Sequence, residues 1–139
     1  MVALAIPASL LAAATILYFT GNSLNILSMM GLMLAVGLVV DNAVVVTESI
    51  FRHRTEDKER PLHATIKGVR EVGLAVIAGT ATTIIVFAPI IVGTKTDIMV
   101  FLTHVAITII VALLASLLIA QTLVPMLAAR VAVPPPPTT

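Results

Sequence analysis

Four apolar stretches dominate the sequence, and each is long enough to cross a bilayer as a helix. They cover residues 2–20, 24–48, 72–94 and 98–129. A hydrocarbon core of about 30 Å needs about 20 residues of α-helix. Helices are the only open structure that satisfies every backbone hydrogen bond within lipid, and the stretches lack the alternation of a barrel strand. The sequence therefore predicts an all-α membrane protein with four transmembrane helices, arranged as two hairpins.

The composition supports this class and excludes several others. The 139 residues are 59% hydrophobic and 11% charged, whereas a soluble domain is usually about 45–50% apolar and about 25% charged. A net charge of +1 gives no field that would attract a polyanion, so we expect no nucleic-acid partner. There is no cysteine, which excludes thiol chemistry and cysteine-ligated metals. The expected surroundings are a lipid bilayer.

The basic residues predict the orientation of the chain. Six of the eight Lys and Arg residues lie in residues 51–70, and basic residues mark the cytoplasmic side of a membrane. We therefore expect a cytoplasmic loop at 51–70 and both termini on the same side. Within it, Pro61 and the helical spacing that follows predict a short amphipathic helix over 61–71. Residues 1–130 form the predicted transmembrane region, and 131–139 are a predicted proline-rich tail or linker.

Asp41 is the most informative residue, because it lies among valines within the second apolar stretch. A charge at such depth costs about 2.5–3.5 kcal/mol on insertion scales and usually faces a bundle interior or a water path. Asp41 either pairs with a cation on another helix or, when desolvated, adopts its neutral form. A group that switches between these two states carries protons. The alternative is a static hydrogen-bonding residue between helices.

Three further residues of this stretch draw attention. Asn42 follows Asp41 and points about 100° away from it on a helix. It is either a hydrogen-bonding neighbour of a proton site or a contact between helices, a common role for Asn in membranes. Gly31 and Gly37 are expected to allow neighbouring helices to approach closely.

Small polar residues also occur in the last two stretches. The hydroxyl groups of Thr80, Thr82 and Thr83 can bond back to the helix backbone, so a packing role is expected for them. Ser116 and Gln121 can form hydrogen bonds to neighbouring helices. None of these residues predicts catalysis.

Enzyme chemistry finds little support in the sequence. An intramembrane aspartyl protease needs two carboxylates that share a site, and only Asp41 is deep. His53, His63 and His104 lack metal-ligand spacing, and a glycine-rich phosphate loop is absent. We therefore expect no catalytic residue, no metal site and no cofactor.

Three motifs resemble consecutive helices of one transporter family. They are GLVVDNAVVVTESI at 37–50, GTATTIIVFAP at 79–89 and ASLLIAQTLVPML at 115–127. In order and spacing they are similar to transmembrane helices four, five and six of resistance-nodulation-division (RND) efflux transporters of the acriflavine-resistance type. The resemblance covers nearly the whole chain except the proline tail.

This resemblance implies a larger assembly and a mechanism. The chain would match helices three to six, in the N-terminal half of a twelve-helix bundle in the bacterial inner membrane. The family exports drugs by proton antiport, as a homotrimer with a periplasmic adaptor and an outer-membrane channel. Asp41 matches the first acid of the proton relay, whose lysine partner lies in the other half of the permease. Many members carry a second Asp where this chain has Asn42, a difference that favours organic substrates over metals.

A different class of function stays open on the sequence alone. The chain could be a small standalone membrane protein that assembles with, or modulates, a larger complex. An intramembrane hydrolase is the third hypothesis, and it lacks a second catalytic group. The sequence leaves the exported substrate undetermined.

Overall fold

Four helices make up the fold in a computed structural model, which describes residues 2–21, 24–56, 60–94 and 96–130. In chain order they are α1 (Val2–Phe19), α2 (Ile26–Thr55), α3 (Pro61–Val92) and α4 (Asp97–Arg130). Each is long and apolar enough to cross a membrane, and the described residues contain no strand. The predicted all-α architecture is confirmed. The predicted tail at 131–139 lies outside the described residues.

Individual residues at the helix ends account for where α1 ends and where α2 and α3 begin. The side-chain oxygen of Asn25 accepts a hydrogen bond from the backbone N–H of Ser28 at 2.9 Å and so caps α2. Pro61 occupies the first position of α3, where its missing N–H has no helical partner to lose. Gly21 follows α1 with a φ of 77°, a conformation that other residues rarely adopt. These signals separate the helices with short connections.

The third helix differs from its prediction. We expected a short surface helix over 61–71 and a separate span, but α3 is one continuous helix of 32 residues from Pro61 to Val92. No proline lies between Pro61 and Pro89, and the polar side chains near residue 71 are exposed without interrupting the backbone. The second helix also continues past its apolar stretch, to Thr55. Most of segment 51–70 is therefore helical, and its cytoplasmic location stays a prediction.

Helices α2 and α4 hold the bundle together, because each of them contacts all three other helices. The core consists largely of small residues, which allow helices to approach closely in a membrane. One cluster lies towards the end of the bundle that carries the α2–α3 connection, which we call the connection end. It contains Ala5, Ala43, Val46, Ile50, Val76, Ala120, Val124 and Ala128. A second cluster contains Ala13, Ala35, Ala112 and Ala115.

Two glycines of the bundle lie directly against a neighbouring helix. A Cβ atom placed on Gly31 would come within 2.8 Å of the Cβ of Thr108 in α4. On Gly68, it would come within 2.8 Å of two backbone atoms of Ile50 in α2. Such distances are shorter than van der Waals contact, so both positions require glycine for this packing.

Candidate functional site

The two long sides of α2 have opposite surroundings. One side, the packed face, is buried against the other helices and carries Gly31, Ala35, Val39, Ala43, Val46 and Ile50. The other, the open face, is exposed along much of the helix and carries Leu34, Gly37, Leu38, Asp41, Val45 and Glu48. The residues of each face recur at helical spacing. The candidate site residue Asp41 therefore lies on the side that the other helices of the chain leave uncovered.

Asp41 has no hydrogen-bond or ion-pair partner within the part of the chain that the structure describes. Its side chain is exposed on the bundle surface, although it lies in an apolar section of α2. The described parts of α1, α3 and α4 therefore supply no partner for this carboxylate. Across the described ranges, no group of three or more His, Asp or Glu side chains could hold a metal ion.

Asn42 points towards α3 rather than along the open face. Its amide nitrogen donates a hydrogen bond to the hydroxyl oxygen of Thr80, which is buried, at 3.4 Å. Thr82 and Thr83 instead donate to backbone carbonyls four residues earlier, at 2.8 Å and 3.1 Å, as the sequence predicted. Thr80 therefore has the additional role of linking α2 to α3 next to Asp41.

The backbone of α2 is also linked to α4 close to Asp41. The buried hydroxyl of Ser116 donates a hydrogen bond to the backbone carbonyl of Val39 at 3.2 Å. This contact confirms the bond that was expected of Ser116. The expectation for Gln121 is wrong within the described residues, because its buried amide nitrogen has no hydrogen-bond partner among them.

The two glycines of α2 have different surroundings. Gly31 meets Thr108 closely, as predicted, but a Cβ atom on Gly37 would have no neighbour within 4 Å in the described structure. The prediction that Gly37 allows close packing is therefore wrong for the helices of this chain. Gly37 lies on the open face about 40° from Asp41 around the helix. Because Gly37 has no side chain, the backbone of α2 is uncovered on this face one turn before Asp41.

A polar cluster that the sequence did not predict joins α2 to α3 at the connection end. Arg52 forms an ion pair with Glu71, and the Nε2 atom of His53 lies 2.7 Å from the same carboxylate. The hydroxyl of Ser49 donates to the backbone carbonyl of Gly68 at 3.1 Å. Hydrogen bonds from Arg52 and then His53 lower the pKa of Glu71, which precedes the apolar part of α3. The cluster forms because both helices continue past their apolar stretches.

Comparisons with known proteins match this architecture. The profile described as the AcrB/AcrD/AcrF family matches residues 1–136. The chain is 45% identical over 128 residues to "Multidrug resistance protein MdtC" of Pectobacterium carotovorum subsp. carotovorum, covering 92% of this chain and 12% of that protein. It is 43% identical over 135 residues to the protein of the same name from Pantoea ananatis, covering 97% and 13% respectively. The chain thus spans about an eighth of the length of these relatives.

Proposed function

Because the chain belongs to the AcrB/AcrD/AcrF family, we propose that it is part of the membrane domain of a proton-driven multidrug efflux permease. In this proposal Asp41 binds the coupling proton and releases it as the transporter cycles. The observation that carries the proposal is the position of Asp41. It is an acid within an apolar helix section, on a face that the other helices of the chain leave uncovered. The names of the relatives, which are multidrug resistance proteins, support the substrate class.

The mechanism that we propose is a change of partner on protonation. When ionised, Asp41 attracts a cation on a helix that packs against the open face, for which the family resemblance suggests a lysine in the other half of the permease. When protonated, it loses that attraction. Breaking a buried ion pair costs about 3–5 kcal/mol. A conformational equilibrium moves from 1:99 to 99:1 with about 5.5 kcal/mol. Protonation of Asp41 alone would therefore supply most of the free energy that this change requires.

Asn42 has a supporting role in this proposal. An amide does not titrate, so Asn42 cannot replace the second acid of a two-carboxylate relay. Its hydrogen bond to Thr80 instead links α2 to α3 beside Asp41. We infer that Asn42 and Thr80 hold the helix in place while Asp41 changes its protonation state. The proton chemistry of these helices then depends on one carboxylate.

The proposal extends to the parts of the transporter outside this chain. We propose an inner-membrane homotrimer that works with a periplasmic adaptor and an outer-membrane channel and exports organic compounds. Both termini and the α2–α3 connection would then be cytoplasmic. The concentration of basic residues in segment 51–70 supports that orientation.

Replacement of the acid in the full-length transporter tests the proposal. Asp41→Asn preserves the shape of the side chain but cannot exchange a proton. We expect it to reduce drug efflux to background at normal membrane levels. Asp97→Asn removes an aspartate at the start of α4 and serves as the matched control, with efflux unchanged. Undiminished efflux in Asp41→Asn would refute the proton role.

A further inference from the structure

A cavity lies between α2 and α3 at the connection end of the bundle. Its volume is about 200 Å³, which accommodates several water molecules at about 30 Å³ each in the liquid. The residues that line it are Val45, Glu48, Ser49, Arg52, Glu71 and Val72. Four of these six side chains are polar or charged, so water is a favourable occupant.

The cavity begins one helical turn from Asp41. Val45 follows Asp41 by four residues, which places it about 6 Å further along the helix axis and about 40° around it. Glu48 follows by seven residues, about 10.5 Å along the axis and within about 20° of the same direction. Asp41, Val45 and Glu48 therefore form one line on the open face, and this line leads from the deep carboxylate to the connection end.

The two carboxylates of the cavity have different partners. Glu71 is engaged by Arg52 and His53, and these contacts favour its ionised form. Glu48 is exposed and has no hydrogen-bond or ion-pair partner among the residues described. Arg52 is the basic residue that lines the cavity, and it is paired with Glu71. Glu48 is thus the carboxylate available to accept a proton from the direction of Asp41.

We propose that this cavity is a water-filled proton exit and that Glu48 is the relay acid between Asp41 and the solvent at the connection end. The inference rests on the proposed function of Asp41. In the step, the O–H bond of protonated Asp41 breaks, the proton moves through water molecules, and a new O–H bond forms on the Glu48 carboxylate. Glu48 then releases the proton to bulk water and returns to its ionised form. Glu71 stays paired and takes no proton.

Cysteine labelling tests whether water fills the cavity. This chain has no cysteine, so Val45→Cys adds one thiol to it, in a full-length transporter freed of any other cysteines. The matched control is Val44→Cys, because Val44 is similarly exposed (38% against 41%) at nearly the same depth. It lies about 60° from Asp41 on the opposite flank of the open face and is absent from the cavity lining among the residues described.

A membrane-impermeant methanethiosulfonate reacts with the thiolate, which forms in water and not in lipid. Applied to inverted membrane vesicles, it should label Val45→Cys at least about tenfold faster than Val44→Cys. Val72→Cys, on the α3 side of the cavity, is a second probe in case the first variant is poorly produced. Equal, slow labelling of the cavity and control positions overturns the water-filled exit.

Substitution of Glu48 in the same full-length transporter tests the relay. Glu48→Gln should reduce efflux at least about tenfold, because positioned proton acceptors contribute about 10²–10⁴-fold, and Glu48→Asp should restore much of it. In Glu48→Ala, added formate should restore part of the loss by carrying the proton itself, an effect that a structural role does not predict. Glu56→Gln, at the exposed end of α2, should transport normally. Wild-type efflux in Glu48→Gln overturns the relay role.

The result for Asp41→Asn separates this inference from the proposed function. Full efflux in Asp41→Asn would contradict both the proton role of Asp41 and the proton exit that rests on it. If Asp41→Asn abolishes efflux while Glu48→Gln transports normally, only the relay through Glu48 is overturned.

Discussion

The packed face and the open face belong to the same helix, yet they serve opposite purposes. On the packed face, Gly31 lies against Thr108 and Ile50 lies against Gly68, at distances that leave no space for a methyl group. On the open face, a Cβ atom added to Gly37 would have no neighbour within 4 Å in the described structure, and Asp41 has no partner there. One side of α2 is therefore fixed in position, and the other is left uncovered by the helices of this chain.

This difference suggests how a membrane helix combines rigidity with proton exchange. A carboxylate that binds and releases a proton must change its partner without displacing its own helix. The hydrogen bonds from Ser116 to Val39 and from Asn42 to Thr80 link α2 to α4 and to α3 within two residues of Asp41. We infer that contacts of the packed face hold α2 in place while Asp41, on the open face, changes its protonation state.

The largest expected effect comes from adding one methyl group on α3 that presses against the packed face of α2 and another on the open face itself. Gly68→Ala places a Cβ atom within 2.8 Å of two backbone atoms of Ile50, and backbone atoms move only if the helices separate. We expect the free energy of unfolding to fall by about 1–3 kcal/mol, as for other overpacked positions. Gly37→Ala is the matched control, and its helix propensity gain of up to about 1 kcal/mol should leave the chain equally or more stable. Denaturant titration of the reconstituted chain measures both variants.

The opposite ranking of these two alanine variants would contradict the division into two faces. The comparison becomes sharper in the full-length transporter. If a helix of the other half packs against the open face, Gly37→Ala should reduce efflux there although it leaves this chain stable.

A smaller effect is expected from the hydrogen bonds that link α2 to its neighbours. Ser116→Ala removes the bond to the Val39 carbonyl, and Thr80→Val removes the acceptor of the Asn42 amide. Hydrogen bonds between membrane helices contribute on average about 0.6 kcal/mol each, so each variant should lose about that amount. The two contacts involve different helix pairs, so their losses should add within about 0.5 kcal/mol. A double variant measured by the same titration tests this additivity.

The smallest effect is expected at the exposed cluster at the connection end. Hydrogen bonds from Arg52 and His53 lower the pKa of Glu71 below 4.5, the value expected in the unfolded chain. The contacts therefore stabilise the folded chain above that pH, and this contribution is lost as the pH falls through the lowered pKa. The apparent unfolding temperature of the wild type should fall more steeply over this acidic range than that of Glu71→Gln. Parallel curves would show that the pair adds no stability.

The sequence predicts the helices well and singles out Asp41 as a charge in an apolar helix section, and the reasons are physical. Long apolar stretches and an acid among valines are local features that a bilayer restricts to few structures. The different surroundings of Gly31 and Gly37 could not be predicted, because they depend on which neighbours pack against each side of α2. Helical spacing gives the angle between two residues but not the helix that faces them.

The polar cluster was missed for a related reason. Arg52 and Glu71 lie 19 residues apart, Arg52 in the predicted cytoplasmic loop over 51–70 and Glu71 at the end of the short helix predicted over 61–71. They meet only because α2 and α3 both extend as helices beyond their apolar parts. Ser116 was expected to bond a neighbouring helix, but its acceptor, the Val39 carbonyl, is a backbone atom that no sequence pattern identifies.

Infrared difference spectroscopy of the full-length transporter tests the central claim most directly, because it follows the carboxyl group of Asp41 itself. Spectra recorded as the pH is varied across the physiological range should show a protonated carboxyl band that appears and disappears reversibly. This band should be absent in Asp41→Asn and retained in the Asp97→Asn control. An Asp41 carboxyl that keeps one protonation state throughout, while the transporter exports its substrate, would contradict the account.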